Sequence, residues 1–244
     1  MRPTHALAWV GRQTGAGLAA ALLLLGLGGG SLPNAHAQTA PSSAQVAAYS
    51  GLHSAAHMGD VALLQKLIDA RVDLNARDGF GRTPLHVAAF ARQREAIRML
   101  AKAGADLGLL ENDRYDAVTI AAVAGDEETL RVLLAKGASA RLVTSRYDGT
   151  ALIAAAHLGH VGVVKQLIAA GAPLDHVNNL HWTALIEAIV LGNGGPRHLE
   201  VVRDLLAAGA SPNLTDRQGT TPVALARARG FDAMVRLLEA AGAK

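Results

Sequence analysis

The residues of this 244-residue chain best suited to hold a metal or move a proton are its ten histidines, since it contains no cysteine. His53 and His57 are four positions apart on a helix and His157 and His160 three apart, spacings that could offer two imidazoles to one metal ion. No acidic third ligand accompanies His57 or His157, which leaves both pairs short of a metal site. Without cysteine, thiol nucleophiles, disulfides and Cys-ligated zinc or iron–sulfur centres are excluded. The chain also lacks a G-x-S-x-G elbow, an H-E-x-x-H pair, a Walker loop and a dinucleotide fingerprint after a strand. The acids Asp126, Glu127 and Glu128 read as the start of a helix, where carboxylates suit the dipole. No catalytic residue, metal or cofactor is assigned, and the expectation is a protein that is not an enzyme.

The elements that carry these side chains are set by a period. Thr83-Pro84-Leu85-His86-Val87-Ala88-Ala89 has its aliphatic third position, Leu85, echoed at Leu52, Val118, Leu152, Leu185 and Val223, in steps of 33, 33, 34, 33 and 38 residues. A Gly-Ala pair follows 19 residues later at Gly104, Gly137, Gly171 and Gly242. In the fifth unit that distance stretches to 24 at Gly209, which places five extra residues at Gly192–Pro196. Each unit reads as two short helices, the first rich in alanine and the second with paired aliphatics at helical spacing, such as Val163, Val164, Leu167 and Ile168. Glycines supply the left-handed helix ends, and polar turn residues join one unit to the next.

These residues closely resemble the ankyrin repeat, whose 33-residue unit carries T-P-L-H-x-A-A, a Gly after the first helix, and Gly-Ala before a β-hairpin turn. Gly59, Gly125, Gly159 and Gly230 match that first glycine. The resemblance implies an all-α solenoid of stacked helix–turn–helix repeats joined by β-hairpin loops. The domain spans residues 45–244, with units at about 45–77, 78–110, 111–144, 145–177, 178–215 and 216–244. The third unit has Asp116-Ala117-Val118-Thr119 in place of T-P-L-H, and the fourth and fifth have Thr-Ala-Leu-Ile. These units lose the turn proline and the threonine–imidazole network, and rely more on their neighbours. His53, His86 and His160 fall on places where the repeat itself asks for histidine.

The beginning of the chain reads as an export signal. Arg2 and Arg12 precede the apolar run from Ala16 to Leu27, and Ala35-His36-Ala37 supplies the small residues that predict cleavage before Gln38. The run is far shorter than the roughly 20 residues of a membrane span. Residues 38–44 then form a linker. With the two arginines of the signal removed, basic and acidic residues nearly balance, which argues against a nucleic-acid surface. The expected product is a soluble, monomeric, periplasmic protein that binds neither nucleic acid nor membrane.

Binding surfaces follow from the resemblance. Ankyrin arrays hold partners with the hairpin tips and the concave face of the first helices. Carried onto this sequence, those places select Tyr49, Phe80, Arg82, Phe90, Tyr115, Arg146, Tyr147, His157, Leu180 and Trp182 as partner-binding residues. Six of the seven aromatic residues that follow residue 37 lie there, Phe231 being the exception, and Tyr, Trp and Arg dominate binding hot spots. The expected function is a protein-binding adaptor or regulator. Exported bacterial ankyrin proteins imply support of an enzyme in stress defence; an immunity-type inhibitor of a toxic periplasmic enzyme, or a metal- or small-molecule-binding protein, are the alternatives.

Overall fold

The computed structural model describes residues 38–244, so the export signal expected over residues 1–37 lies outside the described part. A short helix, α1 (Ser43–Ala48), begins in the last two residues of the expected linker and runs into the first unit. Ser42 and Gln45 start it, because the serine hydroxyl accepts the Gln45 N–H while the glutamine side chain accepts the Ser42 N–H.

Six helix pairs follow: α2 (Gly51–Met58) with α3 (Val61–Asp69), α4 (Pro84–Phe90) with α5 (Arg94–Ala103), α6 (Ala117–Val123) with α7 (Glu127–Ala135), α8 (Ala151–Leu158) with α9 (Val161–Ala169), α10 (Ala184–Val190) with α11 (Pro196–Ala207), and α12 (Pro222–Ala228) with α13 (Asp232–Ala240). The first helices of successive pairs pack on one another from α2 to α12, and the second helices do so from α3 to α13. Alanine sets this spacing. Ala55, Ala56, Ala88, Ala121, Ala122, Ala155, Ala156 and Ala188 are all buried, so neighbouring inner helices approach without a large side chain between them. Leu64, Leu100, Leu133, Leu167 and Leu205 fill the layer between the two rows and are fully enclosed. Each residue buried there removes apolar surface from water at roughly 25 cal/mol per Å², and one core cluster runs through the third, fourth and fifth units as through the rest. Ala40–Lys244 holds every pair and the whole described core as one compact unit, which is what independent folding requires.

Thr83 caps α4, and its hydroxyl lies 2.8 Å from Nδ1 of His86. That nitrogen accepts the Thr83 N–H at 3.0 Å, so Nε2 carries the proton and donates to the Tyr115 carbonyl of the next unit. Burial pushes the His86 imidazole down to about 4, which keeps it neutral. In the third unit a hydroxyl pair, Thr119 with Thr144 at 3.1 Å, replaces this bridge. Ile153 and Ile186 are simply buried there in the fourth and fifth.

The joining loops are less regular than β-hairpins: among the described residues the sole bridge is Thr144 with Gly149. The insertion between α10 and α11 is tied down. Gly194 is left-handed, with φ +70°, and a Cβ there would lie 2.5 Å from the Phe231 ring. Arg229 donates to the Gly192 carbonyl at 2.9 Å and lies over the same ring. Phe231, the aromatic residue that fell outside the expected binding surface, is thus the seat of the inserted loop.

Candidate protein-binding face

The loop tips form a row held by their own backbones. Asn112 N–H donates to the Phe80 carbonyl at 3.0 Å, Ser145 N–H to Arg114 at 2.8 Å, and Asn179 N–H to Tyr147 at 2.9 Å. The Arg217 guanidinium, a side chain in place of a backbone donor, extends the row by donating to the Asn179 carbonyl at 2.7 Å. Between the third and fourth tips two ion pairs cross, Arg146 with Asp113 at 2.6 Å and Arg114 with Asp148 at 3.3 Å.

A side-chain acceptor at the base of each tip fixes its shape. Asp78 Oδ1 accepts the N–H groups of Phe80 and Arg82. Glu111 does the same for Asp113 and Tyr115, Ser145 for Tyr147 and Gly149, Asn178 for Leu180 and Trp182, and Asp216 for Gln218 and Thr220. The sequence reading missed this series, although an acceptor recurring at the repeat spacing was its visible signal.

On this frame the expected residues divide. Phe80 (45% exposed), Tyr147 and Leu180 (each 39%) stand open at separate tips. Arg146 is also exposed but committed to Asp113. Tyr49, Phe90, Tyr115 and Trp182 are half-buried along the inner side, with the Tyr49 hydroxyl donating to Asp78 at 2.9 Å.

Arg82 departs from the expectation of an open partner-binding side chain, being 3% exposed. Its guanidinium lies 4.7 Å from the Phe80 ring centroid and 5.6 Å from that of Phe90, 3.8 Å from Asp78, and donates to Gln45 Oε1 at 3.1 Å. Two rings, a carboxylate and an amide of its own chain enclose it in place of solvent.

The histidine pairs do not converge on a common ligand position. His53 Nε2 lies 2.9 Å from the Arg82 carbonyl, and His160 Nε2 3.2 Å from that of Val123. Among the described residues no group of three or more His, Asp or Glu side chains gathers as a metal site.

His157 has a partner the sequence reading missed. Its Nδ1 lies 3.6 Å from Oε2 of Glu187, which is 5% exposed. Asn178 Nδ2 donates to the other carboxyl oxygen at 3.1 Å. Burial pushes the Glu187 carboxyl up to about 7, against the hydrogen bond from Asn178. Burial, and then the nearby His198, hold His157 below its usual range. Both groups are thus driven toward neutral forms, and the contact is not a formed ion pair at neutral pH.

Comparisons with known proteins agree with this architecture. A family model described as ankyrin repeats in three copies matches residues 22–111, 52–144 and 118–216. The chain is 37% identical over 190 residues to YahD, an ankyrin repeat protein of Escherichia coli (strain K12), covering 78% of this chain and 94% of that one. Among solved structures it is similar to an ankyrin repeat domain from Acinetobacter baumannii AYE, with 46% identity and a TM-score of 0.75 over 79% of this chain and 98% of that chain. It is also similar to the ankyrin repeat domain of Bcl-3, a member of the IkappaB family, with 28% identity and a TM-score of 0.72 over 81% of this chain and 88% of that chain.

Proposed function

This chain belongs to the ankyrin repeat family, and from that premise we propose that it is a non-enzymatic, exported adaptor that holds a protein partner on its loop tips and inner face. Ankyrin repeats generally mediate protein–protein contact. The observation that carries the reading here is the tip row: Phe80, Tyr147 and Leu180 stay exposed on loops that backbone bonds hold in fixed register. Pre-ordered apolar side chains lose little entropy on binding, and that is where interface energy concentrates. Export to the periplasm is supported by the basic leader, the short apolar run and Ala35-His36-Ala37. No helix among the described residues is long and apolar enough to cross a membrane.

The test is capture of periplasmic proteins of the source organism on immobilised residues 38–244, beside the triple variant Phe80→Ala, Tyr147→Ala, Leu180→Ala. One protein retained by the parent and lost by the variant supports the reading. An assay of that protein with and without the array then tells activation or protection from inhibition. Equal retention by both overturns the tip surface.

A further inference from the structure

One register on the inner helices is occupied by Ser54, Val87, Ile120, Ala154, Glu187 and Leu225. Val87 and Ile120 are buried, so this position belongs to the edge of the core. A carboxyl is costly there, and packing would be served by any of the apolar residues found in the other units. Glu187 is nonetheless supported. Asn178 stands where Asp78 and Asp216 serve their own loops, and its amide, unlike a carboxylate there, can both accept from the loop N–H groups and donate to Glu187 Oε1. The pair Asn178 and Glu187 is therefore matched, and it leaves Oε2 without a hydrogen bond.

The second unit shows what this inner surface does with a guanidinium. Arg82 is clasped there by the Asp78 carboxylate, the Gln45 amide oxygen and the rings of Phe80 and Phe90. In the fifth unit the acid is present and the cation is not: Trp182 takes the register of Arg82, and the fourth unit has Gly149 there. The two cations at the end of the sixth unit's inner helix are committed elsewhere, Arg229 to Gly192 and Phe231 and Arg227 to Glu239. The group lying against Oε2 is the His157 imidazole, whose side chain is one-third exposed, and an incoming cation has to turn that ring aside to reach the oxygen.

We propose that Glu187, with Asn178 and His157 against its carboxyl and Trp182 in the register that Arg82 holds in the second unit, forms a recessed seat for an arginine side chain of the protein partner. The seat rests on the protein-binding reading above and names the chemistry the partner must present. A guanidinium donates in parallel to a carboxylate and stacks on an aromatic face, which suits this set better than an ammonium does.

The probe is N-acetylarginine methylamide, titrated into residues 38–244, in which Trp182 is the sole tryptophan and its fluorescence reports the site. The expected result is a saturable change, accompanied by a shift of the His157 ring resonances, with affinity reduced about ten-fold in Glu187→Gln and no saturation with the norleucine analogue. The lysine analogue is expected to bind more weakly than arginine. No saturation in the parent, or equal binding by Glu187→Gln, overturns the seat. With a captured partner in hand, the two readings separate. Unchanged partner affinity in Glu187→Gln, with loss in the tip variant, rejects the seat and keeps the adaptor. If the tip variant keeps full affinity, the tip surface falls while the arginine titration still judges the seat.

Discussion

Glu187 Oε2 and His157 Nδ1 face one another at 3.6 Å across the fourth and fifth units, each driven by burial toward its uncharged form. This carries a stability consequence. The folded-state Glu187 value is raised from 4.5 to about 7, so between those limits the folded chain binds a proton that the unfolded chain releases. The Glu187 contribution is therefore intact below pH 4.5 and is lost as pH rises to about 7. Glu187→Gln should match the parent in urea denaturation at pH 4. It should become more stable with rising pH and level off near pH 7 at a gain of about 3 kcal/mol, from about 1.4 kcal/mol per pH unit. A gain independent of pH would place the carboxyl in solvent.

Arg82 should behave as an internal strut. Arg82→Ala removes the cation from between Phe80 and Phe90 and leaves Asp78 without it. The expected loss is roughly 1–3 kcal/mol, with Arg82→Lys in between because an ammonium cannot stack as a planar guanidinium does. A change within about 0.5 kcal/mol, the usual result for a surface residue, would mean the side chain is free.

The inserted loop gives a paired comparison. Gly194 and Gly219 are both left-handed, at φ +70° and +77°, but a Cβ meets Phe231 at Gly194 and nothing within 4 Å at Gly219. Gly219→Ala should cost only the backbone penalty of about 1–2 kcal/mol. Gly194→Ala should cost about 1 kcal/mol more, with faster amide exchange over α12 and α13 because it unseats Phe231. Equal costs would show that the loop does not pack on the last unit.

The repeat was legible because its signals are local and periodic. Leu85 and its counterparts, the helix-ending glycines and the Thr83–His86 turn each report on their own unit, and stacking follows from repetition. Side-chain commitments between units were not legible. Arg82 looked like a binding residue because its spacing shows neither Gln45 nor Phe90 closing over it. Glu187 was missed because a single acid at a variable place has no pattern until Asn178 and His157 are seen beside it. His198 was hidden by the insertion. It lies inside α11, in shifted register, yet its Nε2 lies 2.9 Å from the His157 carbonyl, as His160 Nε2 lies 3.2 Å from that of Val123.

The central claim is that exposed apolar tips on a rigid row hold a protein. Its most direct measurement is calorimetric binding of the captured partner to residues 38–244 and to the variant with Phe80, Tyr147 and Leu180 replaced by alanine. Circular dichroism and a melting curve on both proteins confirm equal folding. The account predicts that the variant melts within a few degrees of the parent and loses at least about 30-fold in affinity, the equivalent of one hot-spot residue of about 2 kcal/mol. Equal affinity in an equally folded variant would contradict it.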